Sequence, residues 1–227
     1  MRAMILAAGR GERMRPLTDH TPKPLLEVGG KSLIVWHIQR LAKAGITEIV
    51  INHAHLGQQI EQALGNGQQW QVHIQYSPEQ TALETAGGIA NALHLLGDRP
   101  FLVVNGDVFT DIDYGTVELE AGKLAHLVMV DNPPQHAQGD FALRHGLIQQ
   151  AADHKLTFSG IGVYHPDLFQ SIHRGEAAKL APLIISAMQQ GLVSGQHHTG
   201  MWHDIGTPER LKQLDEWLHT AKNQGKS

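Results

Sequence analysis

Four charged residues stand where charge could do chemistry: Arg13 and Lys23 near the start, Asp107 after an apolar run, and Asp204 just ahead of a helix start. The first two lie in a stretch that opens as Met4-Ile5-Leu6-Ala7-Ala8. It then breaks into Gly9-Arg10-Gly11-Glu12-Arg13-Met14-Arg15-Pro16-Leu17-Thr18 and continues to Pro22-Lys23-Pro24-Leu25-Leu26. This reads as a strand delivering a cationic loop. Gly9 and Gly11 allow a sharp turn and close approach to an anion, so that backbone amides point at phosphate oxygens while Arg13 and Lys23 supply full charge. Pro16, Pro22 and Pro24 restrict φ and remove donors, which holds a long loop to one path. Two other phosphate motifs fail here. A dinucleotide fingerprint would need glycine where Met14 stands, and a P-loop ending at Gly30-Lys31-Ser32 would need glycine at Leu25.

Asp107 closes Val103-Val104-Asn105-Gly106-Asp107, a carboxylate just past a buried strand, suited to hold a hard cation at a sheet rim. In Trp202-His203-Asp204-Ile205-Gly206-Thr207-Pro208, Thr207 reads as a helix N-cap and Pro208 as the first helical residue. That accounts for Thr207 and Pro208 and leaves Asp204 over as a second carboxylate. Magnesium takes one or two carboxylates together with substrate phosphates, so two aspartates suffice. In Glu79-Gln80-Thr81-Ala82-Leu83-Glu84-Thr85-Ala86-Gly87-Gly88, glycines at a helix start would present N–H donors on the positive end of the dipole, fit for a nucleobase carbonyl or a phosphate. The pair His197-His198 and His203 lack metal-ligand spacing and read as solvated.

These residues need a scaffold that brings distant strand ends together. Strand-like runs at 2–8, 46–52, 72–76 and 101–104 alternate with helix-like runs at 32–44, 57–64 and 84–96, the first and last closed by Gly45 and Gly97. Such alternation predicts a mostly parallel, twisted sheet between helical layers, a single Rossmann-like three-layer α/β domain. Ligands bind such sheets beyond the strands' carboxyl ends, so the opening loop and the end of the 101–104 strand should meet. After residue 113 the pattern turns strand-rich (124–130, 140–144, 147–150, 158–164), with helices near 178–190 and 208–219. The expected organisation is one domain over 1–221 in two halves, 1–112 and 113–221, with a tail at 222–227.

Composition agrees. The 227 residues are 41% apolar with a net charge of −4 and 5% aromatics, showing neither a basic stripe nor a stacking platform for nucleic acid. No apolar run suggests a membrane span or secretory signal, and the absence of cysteine excludes disulfides and thiolate chemistry; a cytoplasmic location is expected.

The strings LAAGRGERMRPLT with PKPLL, VxNGD and WxDIGTP together resemble the sugar-1-phosphate nucleotidylyltransferases, in order and over nearly the whole chain. The resemblance implies a nucleoside triphosphate and a sugar 1-phosphate as substrates, the first bound by a nucleotide-binding half (1–112) and the second by a sugar-phosphate half (113–221), with Mg2+ held by Asp107 and Asp204. It implies nucleotide contacts from Ala8, Gly9, Gly11, Glu12, Arg13 and Lys23, and base contacts from Glu79, Gln80 and Gly88. Sugar-phosphate contacts would come from Asn105, Gly139, Asp140, Asp153 and Lys155, and catalysis from Arg13, Lys23, Asp107 and Asp204. One departure is Asp153-His154-Lys155-Leu156, where the family commonly carries a glutamate-lysine-proline run. Within the family the chain is most similar to short uridylyltransferases of peptidoglycan recycling, which implies UTP as donor and N-acetylmuramate α-1-phosphate as acceptor. Guanylyl transfer to mannose 1-phosphate is the nearest alternative, and a non-catalytic nucleotide-binding relative is another. A nicotinamide-dependent oxidoreductase is disfavoured by Met14 and Pro16.

Overall fold

The computed structural model describes residues 1–150 and 154–224. Its elements in chain order are β1 (Arg2–Leu6), β2 (Glu27–Val28), β3 (Lys31–Ser32), α1 (Leu33–Lys43), β4 (Glu48–His53), α2 (Gly57–Leu64), β5 (His73–Pro78), α3 (Glu84–Leu96), β6 (Phe101–Asn105) and β7 (Val108–Thr110). There follow β8 (Ala125–Val130), β9 (Ala142–Arg144), β10 (Leu147–Gln149), β11 (Thr157–Tyr164), α4 (Leu180–Gln189), β12 (Val193–His198), β13 (Trp202–Asp204) and α5 (Pro208–Gln224). Nine strands form the central sheet in the order β5-β4-β1-β6-β11-β8-β12-β10-β9. The β5-β4-β1-β6 portion is parallel throughout; β11 and β10 run against their neighbours, and β12 is parallel to β8.

Sequence alternation explains the layers. Ala3 and Ile5 of β1 join Ile34, Ile38 and Leu41 of α1 and Ile60 and Leu64 of α2 in one buried cluster, while Met4 between them joins Ala86, Ile89 and Leu96 of α3 and Ile184 of α4 in another. Successive side chains of a strand point to opposite faces, so each strand feeds both cores. A third cluster sits beside the sheet, where Leu214 and Leu218 of α5 pack on Met14, Leu26, Val28 and Leu33. This cluster fastens the proline-rich opening loop to the last helix.

The site is set by a reversal of strand order. After β1 the chain adds β4 and β5 on one side, then crosses back to lay β6 on the other side of β1. Loops leaving strands at such a switch diverge and open a crevice. Leu6 is level with Asn52 of β4 and Asn105 of β6, so three strand ends finish side by side.

Among the features that depart from the sequence reading, two lie in the second half of the chain. The segment 193–198 forms an interior strand although its Ser-Gly-Gln-His-His composition carries no strand signal, because β8 supplies a fully buried partner edge. The last helix extends to Gln224, five residues beyond the expected 219 and into the expected tail.

Candidate active site

Two adjoining clefts open at the switch. One, about 370 Å³, is lined by Ala7, Ala8, Gly9, Lys23, Asn52, Glu79, Asn105 and Asp107 among others. The second, about 310 Å³, is lined by Arg13, Asn105, Asp107, Gln135, Ser159, Gly160, Trp202 and Asp204 among others. Asn105 and Asp107 line both. The opening loop and the end of β6 therefore meet as expected, and the Gly106 amide donates to the Leu6 carbonyl at 2.9 Å to join them.

Lys23 is held by the two prolines flanking it in a short 3-10 turn and is 9% exposed. Its Nζ donates to Asp107 Oδ2 at 2.7 Å. Asp204 reaches the same place through a two-stranded ribbon, in which β13 pairs antiparallel with β7 and sets Asp204 opposite Val108. The Ile205 amide donates to the Asp107 carbonyl at 2.8 Å, which locks the two aspartate-bearing segments together. Arg210, in the first turns of α5, donates to Asp204 Oδ2 at 2.8 Å. Each aspartate thus carries a resident cation. The Arg13 guanidinium is exposed and makes no ion pair among the described residues.

The loop glycines divide the work expected of them. A Cβ on Gly9 would meet nothing within 4 Å, so it is Gly9 that leaves the cleft open. Gly11 has φ +70, and its Cβ would touch Thr18 Cγ2 at 3.0 Å and Lys23 Cβ at 3.2 Å. Its glycine is therefore needed for the turn and for seating Lys23 rather than for space beside a ligand. Glu12 points to solvent, paired with Arg10 at 2.7 Å.

The Glu79–Gly88 segment is also built differently from the reading of exposed helix-start amides. The Gly87 amide, together with that of Ala86, donates to the Ala178 carbonyl. Glu79 is buried and turned inward, accepting from Asn52 Nδ2 at 2.7 Å and from the Leu83 amide at 2.9 Å. A Cβ on Gly88 would strike that Glu79–Asn52 contact, and Gln80 is exposed at the rim. Asn52 was not singled out by the sequence. Its Oδ1 accepts from the Ala7 amide at 2.9 Å, so one buried amide ties the loop's first residue to Glu79. The available signal was a polar residue ending a buried strand, the same pattern as Asn105.

Beside β11, Asp140 Oδ2 caps the Phe158 amide at 2.8 Å and its Oδ1 meets His136 Nε2 at 3.0 Å. Gly139 has φ +62 and packs beside Asn132 and Leu156, while the Lys155 carbonyl accepts from Asn132. These three shape the loop next to β11, and neither Gly139, Asp140 nor Lys155 lines the two clefts. Asp153 lies outside the described residues. The register of β11 shifts between Phe158 and Gly162, a bulge that carries Ser159 and Gly160 to the cleft wall. Gly160, at φ +79, lies so close to Asn105 that a Cβ would collide with its amide.

Behind Asp107 lies a buried His37, whose Nδ1 meets the Tyr114 hydroxyl at 2.9 Å. Burial, aided by the charge of Arg40, pushes its pKa down to about 4, so the ring is neutral. His197 and His198 are paired with Asp131 and Asp111, and among the described residues no cluster of three or more His, Asp or Glu is arranged to hold a metal. No described helix is long and apolar enough to cross a membrane.

The chain belongs to the nucleotidyl transferase family, which matches residues 2–220. It is 58% identical over 94% of its length, and 96% of the other protein's, to an N-acetylmuramate alpha-1-phosphate uridylyltransferase of Neisseria meningitidis. It is 26% identical to mannose-1-phosphate guanyltransferase beta-A of Xenopus laevis, covering 97% of this chain and 69% of that one. In fold it is similar to a putative glucose-1-phosphate thymidylyltransferase from Bacillus anthracis, with a TM-score of 0.82 at 21% identity, covering 96% of this chain and 95% of that one.

Proposed function

We propose that this chain transfers a uridylyl group from UTP to N-acetylmuramate α-1-phosphate, releasing pyrophosphate, in peptidoglycan recycling. The observation that carries the reaction class is the junction of the two clefts, where Lys23, Asp107 and Asp204 converge with Arg13 beside them. The acceptor and base follow from the 58% identity to the Neisseria enzyme.

In this reading the triphosphate lies along the loop, with Gly9 leaving room for it, and the α-phosphate sits at Lys23. An acceptor phosphate oxygen attacks the α-phosphorus in line as the bond to the bridging oxygen of pyrophosphate breaks. The acceptor phosphate is already an anion at neutral pH, so no proton need be removed and no protein nucleophile is required. Asp107 and Asp204, two hard oxygen donors, suit Mg2+ and would hold it, where it would neutralise phosphate charge. Lys23, held in place by Asp107 at 2.7 Å, supplies a fixed positive charge for the negative charge that develops on the α-phosphate. Arg13, without an ion pair among the described residues, meets the departing pyrophosphate. Asn105 and the Ser159–Gly160 bulge form the wall against which the acceptor phosphate is positioned.

The test is a panel of four nucleoside triphosphates against sugar 1-phosphates, with pyrophosphate release as readout. UTP with N-acetylmuramate 1-phosphate should give the highest kcat/KM. Preference for GTP with mannose 1-phosphate would overturn the substrate assignment and leave the reaction class standing.

A further inference from the structure

A third cleft, about 640 Å³, lies on the far side of Asp204 and shares Pro133, Gln135, Trp202 and Asp204 with the acceptor-side cleft. Nothing in the reaction as described uses it. Its wall includes Arg210 and Trp217 on one face of α5, seven residues and so about two turns apart. Trp217 is 48% exposed, an unusual position for so large an apolar ring in a protein whose other three tryptophans are more covered. Arg210 is anchored rather than consumed. Only its NH1 is engaged among the described residues, by Asp204 Oδ2 at 2.8 Å and the Asp204 carbonyl at 3.4 Å. The guanidinium has five N–H donors in a rigid fork, so its remaining donors are held in place by Asp204 with no acceptor among the described residues.

We infer that this cleft receives the bulky substituent of the acceptor sugar, with Arg210 donating to a carboxylate on that substituent and Trp217 packing against its carbon skeleton. The inference rests on the acceptor proposed above. N-acetylmuramate differs from N-acetylglucosamine by a lactyl ether on the third carbon, which ends in a carboxylate at neutral pH. A sugar whose 1-phosphate sits at the Asn105–Asp107 junction extends from the shared wall of the two clefts, and a carboxylate brought there needs donors. A preset guanidinium fork matches it in geometry as well as charge. Two protein carboxylates also line the cleft, but Asp204 is paired with Arg210 and Asp131 at the rim is paired with His197 at 2.9 Å. The exposed indole adds an amphipathic platform for the ether and ring carbons.

The experiment compares N-acetylmuramate 1-phosphate with N-acetylglucosamine 1-phosphate in wild type, Arg210→Gln, Arg210→Lys and Trp217→Ala. The quantity read is the ratio of the two kcat/KM values. Any effect of Arg210 exerted through Asp204 strikes both acceptors and cancels. In Arg210→Gln the ratio should fall at least about tenfold, through KM for the muramate substrate, with partial recovery in Arg210→Lys. Trp217→Ala should lower it about threefold. Calorimetric titration with the products, UDP-N-acetylmuramate and UDP-N-acetylglucosamine, gives a readout independent of turnover and should show the same loss confined to the first. A wild type that prefers the muramate substrate, with ratio and product affinities unchanged in Arg210→Gln and Trp217→Ala, overturns the cleft assignment alone. A wild type that uses neither acceptor overturns both this assignment and the proposed substrate.

Discussion

Replacing Asn52 by aspartate changes one buried atom from donor to acceptor, and its effect can be worked out in advance. Asn52 is 3% exposed and its Nδ2 lies 2.7 Å from Glu79 Oε1, itself in a residue 7% exposed. In Asn52→Asp two carboxylates would face each other at that distance. If both were ionised, their repulsion at an effective dielectric constant of about 20 would be about 6 kcal/mol. Binding one proton at pH 7 to a carboxyl with an ordinary pKa of about 4.3 costs only about 4 kcal/mol, so the pair keeps a proton when folded. The shared proton restores the lost hydrogen bond, and the Ala7 amide keeps its acceptor. The sign follows. The folded pair has one pKa raised above its unfolded value and binds more protons than the unfolded chain, so stability relative to wild type is intact below about pH 4 and is lost as pH rises, by about 1.4 kcal/mol per unit. Urea unfolding from pH 4.5 to 7.5 measures this, with a deficit near 4 kcal/mol at pH 7 that shrinks toward zero at the acid end. A deficit that does not change with pH would mean that Asn52 and Glu79 are not in contact, and that the loop is not anchored through them.

Asp107→Asn and Asp204→Asn should each lower kcat at least about a hundredfold at saturating Mg2+ with little change in melting temperature, since a carboxylate holding a catalytic cation is worth several kcal/mol; near-wild-type turnover in either removes that residue from the site. Gly9→Val, whose side chain enters open cleft, should weaken UTP binding at least about thirtyfold by calorimetry while the fold persists. Gly11→Val, strained at φ +70 and pressed on Thr18 and Lys23, should instead lower the melting temperature. His37, neutral when folded with a pKa of about 4, takes up its proton near pH 6.5 when unfolded. Its folded pKa is depressed, so stability present above pH 6.5 should be lost on acidification by about 3 kcal/mol down to pH 4, and His37→Phe should flatten that part of the pH–stability curve.

The local pattern was sufficient to read the parallel half of the fold. The apolar run Met4-Ile5-Leu6, the helix closed by Gly45 and the apolar run at 101–104 each have one low-energy local solution, and their order implies crossovers. The charged residues were legible because Lys23 between prolines, Asp107 after a buried strand and Asp204 before an N-cap have no better local explanation. What those residues touch was not legible. Asp204 comes beside Asp107 only because residues 202–204 pair with 108–110, a contact between segments too short and mixed in composition to announce a ribbon. Asn52 acts through partners 27 or more residues away and Arg210 through one six residues back, in the strand before its helix, and neither carries a motif of its own. The inward turn of Glu79 and the capping of the Gly87 amide by Ala178 likewise depend on what packs against the helix start. Sequence thus determined which charges were available and the layers that hold them, because propensity and periodicity are local. Tertiary structure alone decided which charges face each other, because hydrogen bonds at 2.7 Å depend on strand register and loop path that no short window of sequence contains.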